Sequence, residues 1–352
     1  MMKRYTLLFL FLLAASQLFS QTYSGPESAE YDYVNRRWLI GNTTSRQILS
    51  RDSLGVLSVL VNNTGSGPYG IEIVGDTVYC CSGGSIKGYS LANGLSVFTL
   101  SVGGTFLNGL TYDKAGNLIT TDFSTKKIFK VNIAAQTFTT IATALPQSPN
   151  GIVFDEYNNR CVFVNWGSNA PIRAIDLSTN VVSTLLATSL SNCDGITRDG
   201  AGRYYISNWG LQSVVRYDSS FLAPPTTVAT SLSNPADIFY NVVDDTLAIP
   251  NAGNNTVTFV GFSSTVGINN PDKINQFYFY PNPAEAGSIV QLTFNSEGSN
   301  IIQLIDLNGK LINEYHVEHT AFQLNTDGLK PGMYFIRMTN DKQIISRSLF
   351  IR

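Results

Sequence analysis

Short apolar-polar alternations recur through most of the chain. Lys127-Ile128-Phe129-Lys130-Val131, Val214-Val215-Arg216-Tyr217-Asp218 and Thr137-Phe138-Thr139-Thr140-Ile141 each run for about five residues. Asn, Asp, Gly or Ser clusters separate them. A period of two bounded by turn residues predicts strands, and no stretch after the N-terminus carries a sustained helical period. The strands group into a repeat. Six segments open alike: Pro26-Glu27-Ser28-Ala29-Glu30-Tyr31-Asp32, Pro68-Tyr69-Gly70, Leu107-Asn108-Gly109, Pro149-Asn150-Gly151, Cys193-Asp194-Gly195 and Pro235-Ala236-Asp237. Their second residues, from Glu27 to Ala236, stand 39 to 44 residues apart. A second register follows each opening by about 15 residues, at Asn42, Ser82, Asp122, Asn165, Asn208 and Asn251.

Four short strands per unit of about 40 residues is the pattern of a propeller blade. The predicted fold is therefore all-β: a six-bladed β-propeller over residues 21–267, a linker at 268–275, and a small immunoglobulin-like β-sandwich over 276–352. The sixth blade has little sequence for a fourth strand. Residues Gln21 to Ser24 are expected to supply it, since joining the ends removes an open edge.

Composition sharpens this. Charged residues make up 14% of the 352 and the formal net charge is −2, so no basic face for nucleic acid is expected. Lys3 and Arg4 precede an apolar run from Leu7 to Ala15, the layout of a secretory signal peptide over residues 1–20; the run is too short to span a bilayer. The four cysteines, Cys80, Cys81, Cys161 and Cys193, form no metal spacing and are expected as buried thiols, with Cys80 and Cys81 on opposite faces of a strand. Both histidines, His316 and His319, lie in the tail, which excludes a Ser-His-Asp triad from the propeller.

The residues that open the inner strands converge at one mouth of a propeller channel. Glu27, Asn108, Asn150 and Asp194 are oxygen donors there, a set that suits Ca²⁺ and, without His or Cys, not zinc. Asp194 is the candidate catalytic carboxylate. Tyr69 and Phe106, with Trp166 and Trp209 from the paired Asn-Trp-Gly motifs, are the candidate substrate pocket; packing between blades is the competing reading of the tryptophans.

Two resemblances follow from these residues. The order Glu27, Asn108, Asn150, Asp194 resembles the calcium-dependent six-bladed hydrolases of the gluconolactonase, regucalcin and luciferin-regenerating-enzyme family. That resemblance implies Ca²⁺ on Glu27, Asn150 and Asp194, with Asn108 as ligand or substrate contact, and a lactonase or esterase-type hydrolysis. Phe106 stands where sugar-lactone members carry Arg. The Asn/Asp-Gly turns equally resemble NHL-type propellers, which implies a non-catalytic binding or scaffold module for a small molecule or glycan. Tyr280-Pro281-Asn282-Pro283, Asp306-Leu307-Asn308-Gly309-Lys310 and Leu329-Lys330-Pro331-Gly332-Met333-Tyr334 resemble the type IX secretion system C-terminal sorting domain. That implies the type IX machinery as partner through residues 276–352, and a monomer secreted from, or held on the outer-membrane surface of, a Gram-negative cell.

Overall fold

The computed structural model describes residues 21–262, 277–294, 299–307, 309–340 and 343–352. The signal-peptide segment 1–20 and the expected linker 268–275 lie outside them. The chain divides into two compact units, Met1–Ser263 and Ser264–Arg352. Among the described residues the only helix is the single 3-10 turn Glu156–Asn158.

The larger unit consists of six antiparallel sheets, each a meander in chain order: residues 26–61, 71–101, 107–142, 149–186, 193–229 and 239–261, here sheets 1 to 6. Sheets 1 to 5 have four strands and sheet 6 has three. The first strands are Pro26–Asp32, Ile71–Val74, Leu107–Tyr112, Pro149–Asp155, Cys193–Arg198 and Phe239–Asn241. Each touches the first strand of the next sheet, and the last returns to the first, so the six close a ring.

The repeated glycine is explained by that ring. A Cβ on Gly70 would stand 2.4 Å from Asn108 O, on Gly109 2.5 Å from Asn150 O, and on Gly151 2.5 Å from Asp194 O. Neighbouring first strands approach so closely that no side chain fits between them. Gly70 N–H donates to Asn108 O, and at the closing seam Asp237 N–H donates to Glu27 O. Between sheets 3 and 4 the Thr121 hydroxyl links the strands, accepting from Gly109 N–H and donating to Asn150 O. Ser207 does the same between sheets 5 and 6, with Gly195 N–H and Ala236 O.

Apolar clusters fill the spaces between sheets. Cys80 packs with Leu39, Ile48 and Val78, whereas Cys81 packs with Ile86, Leu107 and Leu118. The neighbours therefore point to opposite faces, and all four cysteines are free and buried. Ring closure differs from expectation. Residues 21–24 form no strand, and sheet 6 stays three-stranded among the described residues. The segment instead packs Tyr23 against Trp38 and Ala248, and Gly25 N–H donates to Asn255 Oδ1 at 2.7 Å. A half-buried aromatic and a capped turn hold this edge without a ladder.

In the smaller unit, a three-stranded and a four-stranded antiparallel sheet share a core of Val290, Leu292, Ile302, Leu304, Leu324 and Ile336.

Candidate functional site

In each sheet the start of the first strand and the end of the second lie at the same end: Pro26 faces Asn42, Leu107 faces Asp122, Pro149 faces Asn165 and Cys193 faces Asn208. The second register is structural. Asp122 accepts the N–H groups of Thr105, Phe106, Ser124 and Thr125, tying the second strand's end to the loop before the first. Burial raises the pKa of its carboxyl, but those donors outweigh the burial and hold it below the usual range. Asn208 takes Leu211 N–H and donates to Ser213. Asn42 is the exception, since its side-chain amide is buried without a partner.

The first register differs. The pairing of the first strand slips between Pro26 and Ser28, between Pro149 and Ile152, and between Cys193 and Ile196. An extra residue in a bulge re-aims the side chain it carries. Asn150 and Asp194 are buried, at 1% and 3% exposure. Asn150 Nδ2 donates to Cys193 O, but Asn150 Oδ1 has no partner, nor has Asp194 Oδ1. The Trp209 indole N–H points towards Asp194 without reaching hydrogen-bond geometry, and it too is unpartnered. Burial pushes the Asp194 pKa up to about 7, with Trp209 opposing part of the rise. Glu27 is raised well above its ordinary range, first by burial and then by the charges of Asp194 and Asp237. Glu27 and Asp194, four sheets apart in sequence, are brought close by ring closure, with only the first strand of sheet 6 between theirs. Asn108 is buried at the corresponding position of sheet 3. Ala236 supplies no donor in sheet 6.

Three further acids, in or just before the first strands, are ones that the repeat pattern did not point to. Asp237 sits in the column that is glycine in sheets 2 to 5, and its pKa rises through burial and then the charges of Asp194 and Glu72. Glu30 and Glu72 lie three residues beyond Glu27 and Tyr69. Burial raises Glu30 well above the usual range, with Glu72 and Asp237 adding to it. Burial raises Glu72 to about 8, against the Tyr112 N–H and the Lys114 charge. None of the five carboxylates is in an ion pair among the described residues. Among the described residues no cluster of three or more His, Cys, Asp or Glu side chains is drawn together at metal-binding spacing.

The aromatic candidates form one continuous file. Tyr69 meets Phe106 at a centroid distance of 4.6 Å, Phe106 meets Phe123 at 5.5 Å, Phe123 meets Trp166 at 5.9 Å and Trp166 meets Trp209 at 5.1 Å. All five are half-buried. Phe123 was not singled out from the sequence. It follows Asp122 as Trp166 follows Asn165 and Trp209 follows Asn208, which was the available signal.

The fold is that of gluconolactonase-like β-propellers. A gluconolactonase from Xanthomonas campestris superposes with a TM-score of 0.57 at 14% identity, over 68% of this chain and 86% of its own. Regucalcin from Agrobacterium tumefaciens, described as a calcium-binding protein, gives 0.57 at 16% identity, over 69% and 91%. An auxiliary nutrient binding protein from Bacteroides thetaiotaomicron gives 0.56 at 12%, over 68% and 69%. At these identities the likeness concerns the fold alone. The tail is more specific: residues 278–352 match the secretion system C-terminal sorting domain family, which indicates a secreted protein. No curated protein matches the chain.

Proposed function

We propose that the larger unit is a six-bladed β-propeller whose ring mouth holds Ca²⁺ and hydrolyses a lactone or ester, and that the smaller unit is an immunoglobulin-like sandwich that addresses it to the type IX secretion machinery. One observation carries the site: Asn150 Oδ1 and Asp194 Oδ1, on neighbouring first strands, are both buried and unpartnered. Oxygen atoms left unsatisfied in a buried site cost roughly 1–3 kcal/mol each unless a ligand completes them. The donor chemistry fits a hard divalent cation, with two carboxylates to offset its charge and the amide oxygens of Asn150 and Asn108 as neutral donors.

Glu27, Asn150 and Asp194 would hold the ion, with Asn108 as a further ligand or a substrate contact. When bound, Ca²⁺ supplies Lewis-acid polarisation of a carbonyl oxygen. The chain's own residues do the rest. Asp194, buried beside the ion's seat, is the carboxylate placed to take a proton from attacking water. Tyr69, Phe106, Trp166 and Trp209 exclude water on one side and seat the apolar part of the substrate. The regucalcin and gluconolactonase neighbours support this reading at the level of fold.

The test is metal analysis of the purified chain, melting with and without chelator, and turnover on a lactone and aryl-ester panel. Stoichiometric calcium, a melting shift on chelation and loss of turnover in Asp194→Ala are expected. Absence of metal with no melting shift turns the reading to a non-catalytic binding propeller.

A further inference from the structure

The two kinds of side chain at the ring mouth occupy different arcs. The file Tyr69, Phe106, Phe123, Trp166, Trp209 runs through sheets 2 to 5 without a gap, every centroid spacing lying between 4.6 and 5.9 Å. Three of its four contacts are edge-to-face and the Phe106–Phe123 contact is tilted, the geometry of a built wall rather than of scattered surface rings. The remaining arc, from sheet 5 through sheet 6 to sheet 1, carries Asp194, Asp237 and Glu27, with Glu30 further along the first strand of sheet 1. The wall ends on these acids. Tyr69 feels the Glu27 charge after the larger effect of burial, and the Trp209 indole is aimed at Asp194. Asp194 is 3% exposed with Oδ1 unpartnered, so a donor is missing at a seat that points into the ring.

We propose that this mouth binds an organic cation with an aryl body, the rings of the wall receiving the aryl group and the cationic nitrogen lying against Asp194, Glu27 and Asp237. A cation over half-exposed indole and phenyl rings is attracted by their π faces, and the attraction grows when water is excluded. A facing carboxylate adds a charge-assisted contact where the cation carries an N–H. A cation seated against Asp194, Glu27 and Asp237 favours their ionised forms, whereas an anionic ligand of the same shape finds no lysine or arginine paired to any of the three among the described residues. This goes beyond the hydrolase reading and does not require it, because binding needs neither turnover nor bound metal.

The experiment uses the purified full chain in chelator, with three probes of related shape. Benzyltrimethylammonium carries both features, tetramethylammonium lacks the ring, and phenylacetate reverses the charge. Calorimetry and tryptophan fluorescence read the binding. Benzyltrimethylammonium is expected to bind at least tenfold tighter than tetramethylammonium and to quench tryptophan emission, with no binding of phenylacetate. Phe123→Leu and Asp194→Asn should each weaken it about tenfold, whereas Tyr157→Ala, on a side chain 92% exposed, leaves it unchanged. If Asp194→Asn does not fold by circular dichroism, Glu27→Gln takes its place. Equal binding of phenylacetate, no binding of benzyltrimethylammonium, or undiminished binding in both wall and acid variants overturns the proposal. Failure of hydrolysis leaves these readouts untouched, so the two readings fail separately.

Discussion

Buried acids stand at both ends of the first strands, yet the two ends are built to opposite rules. At the far end Asp155 pairs with Arg160 at 2.9 Å and Arg198 at 3.0 Å, and takes hydrogen bonds from Asn158 and Tyr204. Asp32 meets Arg37 at 2.9 Å and Asp199 meets Arg203 at 2.6 Å. Burial would raise Asp155, but its donors and arginines hold its pKa below the usual range. At the mouth, Asp194 is no more exposed in any useful sense, yet its Oδ1 has no partner and its pKa is raised. Burial alone therefore does not mark a functional acid. Burial without partners does, because a fold that can satisfy an acid at one end of a strand has left it open at the other.

The comparison breaks most sharply under substitution. Asp155→Ala leaves Arg160 and Arg198 without their shared partner and should cost about 3–5 kcal/mol, read by denaturant unfolding. Gly151→Ala forces a Cβ to 2.5 Å from Asp194 O and should cost about 1–3 kcal/mol, a loss that Gly116→Ala cannot copy through contact because nothing lies within 4 Å of a Cβ there. Asp194→Asn should go the other way. Neutralising an unpaired buried acid is expected to hold or raise the melting temperature in chelator at pH 8, by roughly 2–4 °C for each kcal/mol gained, while abolishing any calcium-induced shift. A large loss of stability in Asp194→Asn would place this acid with the far-end group.

The pH dependence is smaller but has a definite sign. Glu72 has its pKa raised in the folded chain from 4.5 to about 8, so between those values the folded state binds more protons than the unfolded one. Stability is greatest below that window and falls as pH rises through it. Asp194 acts the same way between 3.8 and about 7. Melting in chelator should decline from pH 5 to pH 8.5, and Glu72→Gln should flatten the decline. A flat profile in the unsubstituted chain would mean that these carboxylates keep ordinary values.

Much of this was legible in the sequence, for identifiable reasons. The Asn-Gly-Ile and Asp-Gly-Ile openings recur because each glycine is a contact between neighbouring strands that tolerates no Cβ, so spacing revealed the repeat. The tryptophans were placed on the right face because the end of the second strand pairs with the start of the first. What stayed hidden depends on register. Glu30 and Glu72 lie inside the first strands, where the repeated openings carry no signal, so their burial was not marked by spacing. Asp237 occupies a glycine column and was read past as part of the turn. The strand expected from residues 21–24 did not form, since Tyr23 and the Asn255 cap hold that edge by other means.

The closing seam has a consequence for the order in which the molecule assembles. Every sheet of the larger unit is a meander whose partners are near neighbours in sequence, so each can form with little loop entropy. The bond from Gly25 to Asn255 spans 230 residues, and the Asp237–Glu27 bond lies beside it. The ring therefore has a late, long-range joint, next to the sheet that is three-stranded among the described residues. That joint is where the circle should first come apart under native conditions. The Asp237 amide should exchange with deuterium sooner than the Gly70 amide, which makes the same inter-strand bond between sheets 2 and 3. The acids of the mouth straddle this joint, so a ligand that bridges Asp194 and Glu27 would also act as its clasp.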